Sequence, residues 1–219
     1  MNPTTTSPHT QAHDHDDAHE LVAALRPAAV IFDFDGTLVD TSTLNTDAIR
    51  ASFTDLHLTV PEPWLHNAPL ADLTALRERL REDLGLQLPG TDAEFVARTR
   101  SHWLTRARQA RPVTRVVTLA RHLAGTVPMG VASANDGQVV RAGLAAIGLD
   151  NLFQTVIGRE HVARLKPAPD AYLLAAAELA VPPSQCLAFE NTDEGITAAL
   201  AAGLPVIDVR NRTWTAQRT

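Results

Sequence analysis

Two aspartates stand two positions apart where a short apolar stretch of the chain ends. Asp33 and Asp35 follow the apolar residues 28–32 and precede Gly36. Side chains at positions i and i+2 of an extended chain point the same way, so the two carboxylates can address one ligand. Such a pair suits a divalent cation, and it also suits a nucleophile working beside a general acid and base. The alternative is that both aspartates only cap a turn at a strand end.

The elements around this pair indicate an α/β fold. The stretch that ends at Asp33 is typical of a buried parallel strand. After Pro112, the pattern predicts helices at 113–124, 136–147, 169–179 and 193–202 and strands at 128–134, 153–157, 185–189 and 204–209. With the first strand, these elements predict a doubly wound, parallel five-stranded, Rossmann-like sheet. Such sheets bind ligands beyond the carboxyl ends of their strands, where the aspartates lie.

A helical segment interrupts this core directly after the first strand. Between residues 41 and 111, apolar residues recur at helical spacing and prolines separate the runs. The runs include Ile49, Phe53 and Leu56, then Leu76, Leu80 and Leu84, then Phe95, Val96 and Trp103. We therefore divide the chain into a core of residues 27–40 and 112–219 and an inserted small α-helical domain of residues 41–111.

Residues 1–26 differ in composition from the rest of the chain. They are rich in Thr, Asp, His and Pro, and they carry four of the nine histidines, namely His9, His13, His15 and His19. So few apolar residues predict a disordered tail, in which a short helix from Glu20 is possible. The alternative for its His/Asp spacing is weak binding of a transition metal.

Composition argues against several classes of function. The net charge of −6 argues against general binding to nucleic acid. Cys186 is the one cysteine, so no intrachain disulfide forms, and we interpret it as a small buried hydrophobe. No apolar stretch approaches the ~20 residues that span a bilayer. We expect a cytoplasmic enzyme without a nucleic-acid or membrane partner.

Polar residues also end three further predicted strands. The second strand ends in Ser133, Ala134 and Asn135, whose hydroxyl and backbone N–H groups could cradle phosphoryl oxygens near a helix start. Lys166 follows the third strand, and Glu190 ends the fourth. Taken alone, Ser and Asn are also ordinary helix caps, and a lysine before proline is ordinary surface charge.

Four motifs, in order, resemble those of the haloacid dehalogenase superfamily. The string VIFDFDGTLVDT at residues 30–41 matches the first motif nearly letter for letter. Ser133 stands in the second motif, Lys166 in the third, and Glu190 with Asn191 in the fourth. The resemblance covers roughly residues 28–210 and is to subfamily I, whose members include β-phosphoglucomutase-like and phosphoglycolate phosphatase-like phosphatases. It implies that residues 41–111 are a cap that closes over the site and selects the substrate.

The resemblance implies a phosphatase that acts on a small phosphomonoester, a sugar or polyol phosphate. Asp33 would attack phosphorus and form an aspartyl phosphate. Asp35 would protonate the leaving oxygen and then activate water. Ser133 and Lys166 would hold the remaining phosphoryl oxygens. The protein would be a monomer or a weak dimer whose partner is a small phosphorylated metabolite.

The same resemblance implies a Mg²⁺ ion and a set of substrate contacts. The expected metal ligands are Asp33, the backbone carbonyl of Asp35, Glu190 and Asn191. The expected substrate-binding residues are Asn45, Ala134 and Asn135.

Asn191 departs from the family pattern, in which an aspartate binds magnesium. An amide oxygen can still ligate a hard cation, but it carries no charge, so we expect weaker magnesium binding. Asp193 or Glu194 could compensate if the loop turns inward. The alternative is that both acids only favour the positive N-terminus of the following helix.

Two other functions stay open at this stage. A sugar-phosphate mutase similar to β-phosphoglucomutase would carry a histidine where this chain has Asn45, and a Lys-Gly-x-Ser-Arg string that this chain lacks. Asn191 could also mark a phosphate-binding regulatory protein with reduced turnover. The presence of Asp33, Asp35, Ser133 and Lys166 favours hydrolysis over both.

Overall fold

The computed structural model describes residues 19–68 and 72–218, and within them a six-stranded sheet lies at the centre of the fold. The strands in chain order are β1 Ala29–Phe32, β2 Val39–Asp40, β3 Arg111–Pro112, β4 Met129–Ala132, β5 Thr155–Ile157, β6 Cys186–Glu190, β7 Val206–Asp208 and β8 Ala216–Gln217. The central sheet has the order β5-β4-β1-β6-β7-β8, while β2 and β3 form a separate antiparallel pair. The predicted doubly wound α/β fold is confirmed.

One strand of this sheet was not predicted. The first five strands of the central sheet are parallel, as expected, but β8 pairs antiparallel with β7 at one edge. The prediction of five strands therefore has to be corrected to six. β8 is only two residues long, too short to show the alternation by which a strand is recognised.

Nine helices surround and extend the sheet in the part of the chain that the structure describes. They are α1 at 19–25, α2 Ser42–Asp55, α3 Glu62–His66, α4 Leu73–Leu84, α5 Asp92–Arg106, α6 Thr114–Leu123, α7 Gly137–Ala146, α8 Asp170–Glu178 and α9 Asp193–Ala201. Single-turn 3₁₀ helices lie at Ala107–Gln109, Arg159–His161 and Pro183–Gln185. Over these described ranges, no helix combines the length and the apolar character needed to cross a membrane.

The core forms on both faces of β1, whose four residues are fully buried. Successive side chains of a strand alternate between faces, so Val30 and Phe32 pack in the layer that contains α6 and α7. Ala29 and Ile31 pack on the opposite face with α8 and α9. Burial on both faces explains why this strand reads as a continuous apolar run.

Register brings the predicted site residues to one edge. Phe32 pairs with Val131 of β4 on one side and with Phe189 of β6 on the other. One or two residues beyond these paired positions, at the carboxyl ends of three adjacent strands, lie Asp33, Ser133 and Glu190. β1 is therefore the central strand that carries the first aspartate into the site.

Helices α2 to α5 form the insertion between β2 and β3. Local sequence signals fix their ends: Asp72 caps α4 through the backbone N–H groups of residues 74 and 75, and Thr91 forms a capping box with Glu94 at α5. The insertion has its own apolar cluster, made of Ile49, Phe53, Leu65, Leu76, Leu80, Leu88 and Phe95. Trp103 of α5 instead joins the main core cluster, so the insertion packs directly on the core that contains the central sheet.

The short helix that the sequence left possible from Glu20 is present, so the predicted disordered tail does not extend to residue 26. Residues 19–25 are helical, and Val22 is buried in the main core cluster with Leu21 and Leu25 packed around it. Three apolar residues on one side of the helix are enough to dock its roughly two turns on an existing core. Residues 1–18, which include His9, His13 and His15, lie outside the described residues.

Candidate active site

Two loops meet where β1 ends. The backbone N–H of Asp33 donates to the carbonyl of Phe189 (2.9 Å), which holds the start of the aspartate loop against β6. Gly36 adopts a positive φ of 77°, and a Cβ atom there would lie 2.2 Å from Nδ2 of Asn191. Only glycine allows both this turn and this close approach. The side-chain oxygen of Asn191 also accepts from the hydroxyl of Thr37 (3.2 Å).

Lys166 joins two buried carboxylates. Its ammonium lies 2.7 Å from Oδ1 of Asp33, and it also donates to Oε1 of Glu190. The side chains of the lysine, Asp33 and Glu190 are only 6%, 8% and 0% exposed. Lys166 and Asp33 are therefore in direct contact, although the two residues are 133 positions apart in the chain.

Tyr172 completes this cluster, and the sequence reasoning missed it. Its hydroxyl donates to Oε1 of Glu190 (2.8 Å) and accepts from the ammonium of Lys166 (3.4 Å). Burial, followed by the charges of Glu190 and Asp33, raises the pKa of Tyr172 well above its ordinary value, so the hydroxyl keeps its proton. The available signal was that the one tyrosine of the chain lies in the alanine-rich helix α8.

Glu190 organises the loop that follows β6. Its Oε2 accepts from the backbone N–H groups of Asn191 (3.0 Å) and Thr192 (3.2 Å) and from the Thr192 hydroxyl (3.2 Å). Gly195 leaves room for it, because a Cβ atom there would lie 1.9 Å from Oε1 of Glu190. Both oxygens of Glu190 are thus held by groups of the protein.

The electrostatics of the cluster favour an added cation. Burial, and then the charge of Glu190, raise the pKa of Asp33 to about 7 although Lys166 acts to lower it. Burial also acts to lower the pKa of Lys166, but the attraction of Asp33 and Glu190 outweighs it and raises that pKa. Two carboxylates thus share one ammonium group, and the charge of Asp35 also acts to raise the pKa of Asp33. A positive ion beside Asp33 would lower its pKa and leave the carboxylate ionised.

Asp35 accepts hydrogen bonds from residues of the insertion and from residues of the core. Its Oδ1 accepts from the hydroxyl of Thr41 and from Nδ2 of Asn45 (3.0 Å). Its Oδ2 faces Nδ2 of Asn135 (3.3 Å) and the hydroxyl of Ser133 (3.5 Å). The structure therefore brings the first two motifs together at Asp35. The sequence reasoning missed Thr41, although it is the last residue of the motif string.

The predicted substrate-binding residues lie beside Asp35. Both ends of the Asn45 amide are used within the protein, since Nδ2 also donates to Thr41 (3.2 Å) and Oδ1 accepts from Trp103 (2.9 Å). The backbone N–H of Asn135 donates to the Ser133 hydroxyl (3.0 Å), and Ala134 is half-buried between them. The roles of Asn45, Ala134 and Asn135 toward a substrate stay predictions.

The two acids that could compensate for Asn191 lie away from the cluster. The Asp193 side chain is 86% exposed and pairs with Arg210 (2.7 Å), and Glu194 is exposed. Both stand in the first turn of α9. The geometry favours the alternative in which they complement the positive helix N-terminus.

The residues at the strand ends fit a hard divalent cation. Over residues 19–68 and 72–218, no three His, Cys, Asp or Glu side chains converge on a metal-sized position. The predicted ligand set does not need such a cluster, because it combines the carboxylates of Asp33 and Glu190 with the Asp35 carbonyl and the Asn191 amide. All four donors are oxygens, the kind that Mg²⁺ prefers, and the surplus of negative charge suits it.

Comparison with known proteins identifies a family and relatives of this chain. A family model described as haloacid dehalogenase-like hydrolase matches residues 27–203. The chain is 33% identical over 196 residues to the fructose-1-phosphate phosphatase YqaB of Escherichia coli (strain K12), covering 84% of this chain and 97% of that protein. It is 30% identical over 194 residues to hexitol phosphatase A of the same organism, covering 84% of each.

A solved structure agrees with these relatives. The CbbY protein of Rhodobacter sphaeroides, in complex with phosphate, is 26% identical and superposes with a TM-score of 0.69 over 82% of this chain and 84% of that one. The chain therefore belongs to the haloacid dehalogenase-like hydrolases, and within them to the hydrolases of phosphate esters that these relatives represent.

Proposed function

We propose that this protein is a magnesium-dependent phosphatase that hydrolyses a small phosphomonoester, a sugar or polyol phosphate, through an aspartyl phosphate. The observation that carries the proposal is the buried pair of Asp33 and Lys166 (2.7 Å) with Asp35 held two residues away at the same edge. Relatives named as fructose-1-phosphate and hexitol phosphatases support the substrate class.

In the first step, an oxygen of Asp33 attacks phosphorus while the bond from phosphorus to the ester oxygen breaks. Lys166 holds the charge of the attacking carboxylate and reduces its repulsion of the phosphoryl group. Asp35 gives its proton to the departing oxygen. The products of this step are an alcohol, an aspartyl phosphate on Asp33 and an ionised Asp35.

In the second step, water attacks phosphorus and the bond to Asp33 breaks. Asp35 accepts a proton from the water, so both aspartates return to their starting states and phosphate is released. The hydroxyl of Ser133 lies close enough to Asp35 (3.5 Å) to contact the same phosphoryl group. This mechanism requires the Asp35 carboxyl group to keep its position through both steps. The four side chains that donate hydrogen bonds to it favour this.

Hydrolases of this family generally use Mg²⁺. Asp33, the carbonyl of Asp35, Glu190 and Asn191 would hold it here. When bound, such an ion neutralises and orients the phosphoryl group. Because Glu190 already accepts from Lys166, Tyr172 and its own loop, we infer that Asp33 and Asn191 are the side chains most open to it.

The insertion lies beside the site and would select the substrate. Asn45 of α2 donates to Asp35, and Trp103 of α5 donates to Asn45. Arg100 of α5 pairs with Asp136 at the start of α7 (2.9 Å). The division into a core and a cap remains part of this proposal. The expected cytoplasmic location and the expected monomer or weak dimer stay predictions.

A substrate panel tests the proposal. The protein should release phosphate from fructose 1-phosphate or hexitol phosphates in the presence of Mg²⁺ and lose this activity with EDTA. Asp33→Asn, purified in parallel, controls for contaminating phosphatases. Conversion of one sugar phosphate into its isomer without release of phosphate would instead identify a mutase. Binding of phosphate without any turnover would overturn both.

A further inference from the structure

Trp103 reaches the site from the insertion. It lies near the end of α5 and is only 2% exposed, among the largest fully buried side chains in the described residues. Its indole N–H donates to Oδ1 of Asn45 (2.9 Å), a residue 58 positions earlier. The Asn45 amide in turn contacts Asp35, so three side chains form a chain of hydrogen bonds that ends on this carboxylate.

The chemistry of the indole decides the orientation of the amide. An indole N–H can only donate, so the amide atom that faces Trp103 must be the oxygen. The amide nitrogen of Asn45 must then face the other way, toward Oδ1 of Asp35 (3.0 Å) and the Thr41 hydroxyl (3.2 Å). Without the indole, a flipped amide would place its oxygen against the carboxylate, and Asp35 would lose a donor.

Packing holds the indole in place. A Cβ atom on Gly143 of α7 would lie 3.2 Å from the Trp103 ring and 2.4 Å from the ring of Phe34. The missing side chain of Gly143 thus lets α7 close on both rings at once. Phe34 stands between the two aspartates in sequence, so the same contact fixes the aspartate loop and the indole relative to each other.

We propose that Trp103 is a positioning residue for Asp35 that acts through Asn45. The inference rests on the proposed function, in which Asp35 is the general acid. Thr41 and Asn45 donate to Oδ1 of Asp35, which Asn135 also contacts at 3.4 Å. Oδ2 has only two longer contacts, with Ser133 at 3.5 Å and Asn135 at 3.3 Å. Oδ2 is therefore the oxygen that passes the proton to the leaving group.

Trp103→Phe removes the N–H and keeps most of the ring. We expect kcat/KM for an alkyl phosphate to fall about threefold to tenfold, the range of one lost hydrogen bond. For 4-nitrophenyl phosphate, whose leaving group needs little protonation, kcat/KM should change less than about twofold. If Trp103 had only a structural role, kcat/KM would fall equally for both substrates.

Trp64→Phe is the matched control. The Trp64 indole donates to Asp83 (2.8 Å) on the surface of the insertion, so this variant loses an equivalent hydrogen bond away from Asp35. Its kcat/KM should stay at the wild-type value for both substrates. If Trp103→Phe and Trp64→Phe give the same ratio of alkyl to aryl activity, Trp103 does not position Asp35.

A double variant tests whether the effect passes through Asn45. In the Asn45→Ala background, Trp103→Phe should cause no further loss in the alkyl-to-aryl ratio, whereas additive losses would overturn the proposal.

If Trp103→Phe does not fold, Asn45→Asp replaces it, because it keeps an acceptor for the indole but offers Asp35 no donor. It should lower the ratio, and an unchanged ratio would overturn the proposal. Absence of turnover in the wild-type protein would instead contradict the proposed function.

Discussion

Tyr172 donates a hydrogen bond of 2.8 Å to Glu190, and the same Glu190 oxygen accepts from Lys166. One buried carboxylate oxygen thus fixes both a neutral and a charged donor. This arrangement holds Lys166 between Glu190 and Asp33, where it can neutralise the proposed nucleophile.

Tyr172→Phe tests that arrangement. The change leaves the ring in place but removes a donor from a fully buried carboxylate, so the free energy of unfolding should fall by about 1–3 kcal/mol. Lys166 should also lose part of its orientation, which lowers kcat more than it raises KM. Denaturation and steady-state kinetics measure the two effects, and wild-type values for both would show that Lys166 holds Glu190 unaided.

Asp33→Asn should abolish turnover while the fold survives. The amide keeps the shape of the carboxylate but cannot attack phosphorus, so kcat should fall by at least about 10³-fold, as for other enzymes that lose their nucleophile. Circular dichroism checks the fold, and phosphate release measures the rate. Hydrolysis near the wild-type rate would contradict the mechanism.

The same variant tests the charge balance of the site. Burial and Glu190 raise the pKa of Asp33 to about 7, whereas the ordinary value is 3.8. Between these values, the folded protein keeps a proton that the unfolded chain has lost. In metal-free buffer, stability of the wild type relative to Asp33→Asn should therefore fall as the pH rises from about 4 to about 7, by up to ~4 kcal/mol.

Chemical denaturation of both proteins with EDTA at several pH values measures this difference. Taking the difference removes the contributions of the titrating groups that lie away from Asp33, which the two proteins share. A difference that does not change with pH would show that Asp33 titrates normally in the folded state.

Asp35→Asn should lower the activity toward alkyl phosphates more than the activity toward aryl phosphates. For alkyl phosphates, loss of the general acid should lower kcat/KM by about 10²–10⁴-fold. For aryl phosphates, the loss should be at least about tenfold smaller, because their departure needs less protonation. Equal losses on the two classes of substrate would argue against the acid role of Asp35.

Much of this arrangement could be predicted from the chain, and the reasons for the misses are physical. Buried strands and the residues at their ends show up in local sequence, so β1 and the positions of Asp33, Ser133, Lys166 and Glu190 could be predicted. The partners of these residues depend on packing between distant segments. Trp103 looks like any core residue of an amphipathic helix until α5 is placed against α2, and Tyr172 likewise until α8 is placed on the sheet.

Two further features depend on contacts between distant parts of the chain. The helix at 19–25 depends on a core that the composition of residues 1–26 does not reveal, since Val22 is buried only by the rest of the fold. Asn45 was expected to face a substrate because of its position after the first motif. Its hydrogen bonds to Asp35 and Trp103 need three segments to be placed together, which spacing alone does not encode.

Asn191 stands where the resemblance of the fourth motif leads us to expect an aspartate, and its environment makes this difference testable. Its amide oxygen accepts from Thr37 beside the Gly36 turn, close to the aspartate loop. If it is a metal ligand, Asn191→Asp adds a full charge next to the cation, and charged oxygens hold Mg²⁺ better than neutral ones. The Mg²⁺ concentration for half-maximal activity should therefore fall.

Glu194→Gln is the matched control for this titration. It changes the charge of the same loop by one unit, but Glu194 is exposed in the first turn of α9, so the Mg²⁺ requirement should stay at the wild-type value. Asp193→Asn should behave alike, because its carboxylate pairs with Arg210. If instead Asn191→Asp leaves the requirement unchanged and one of these two variants raises it, that acid is the ligand and the loop turns inward when the metal binds.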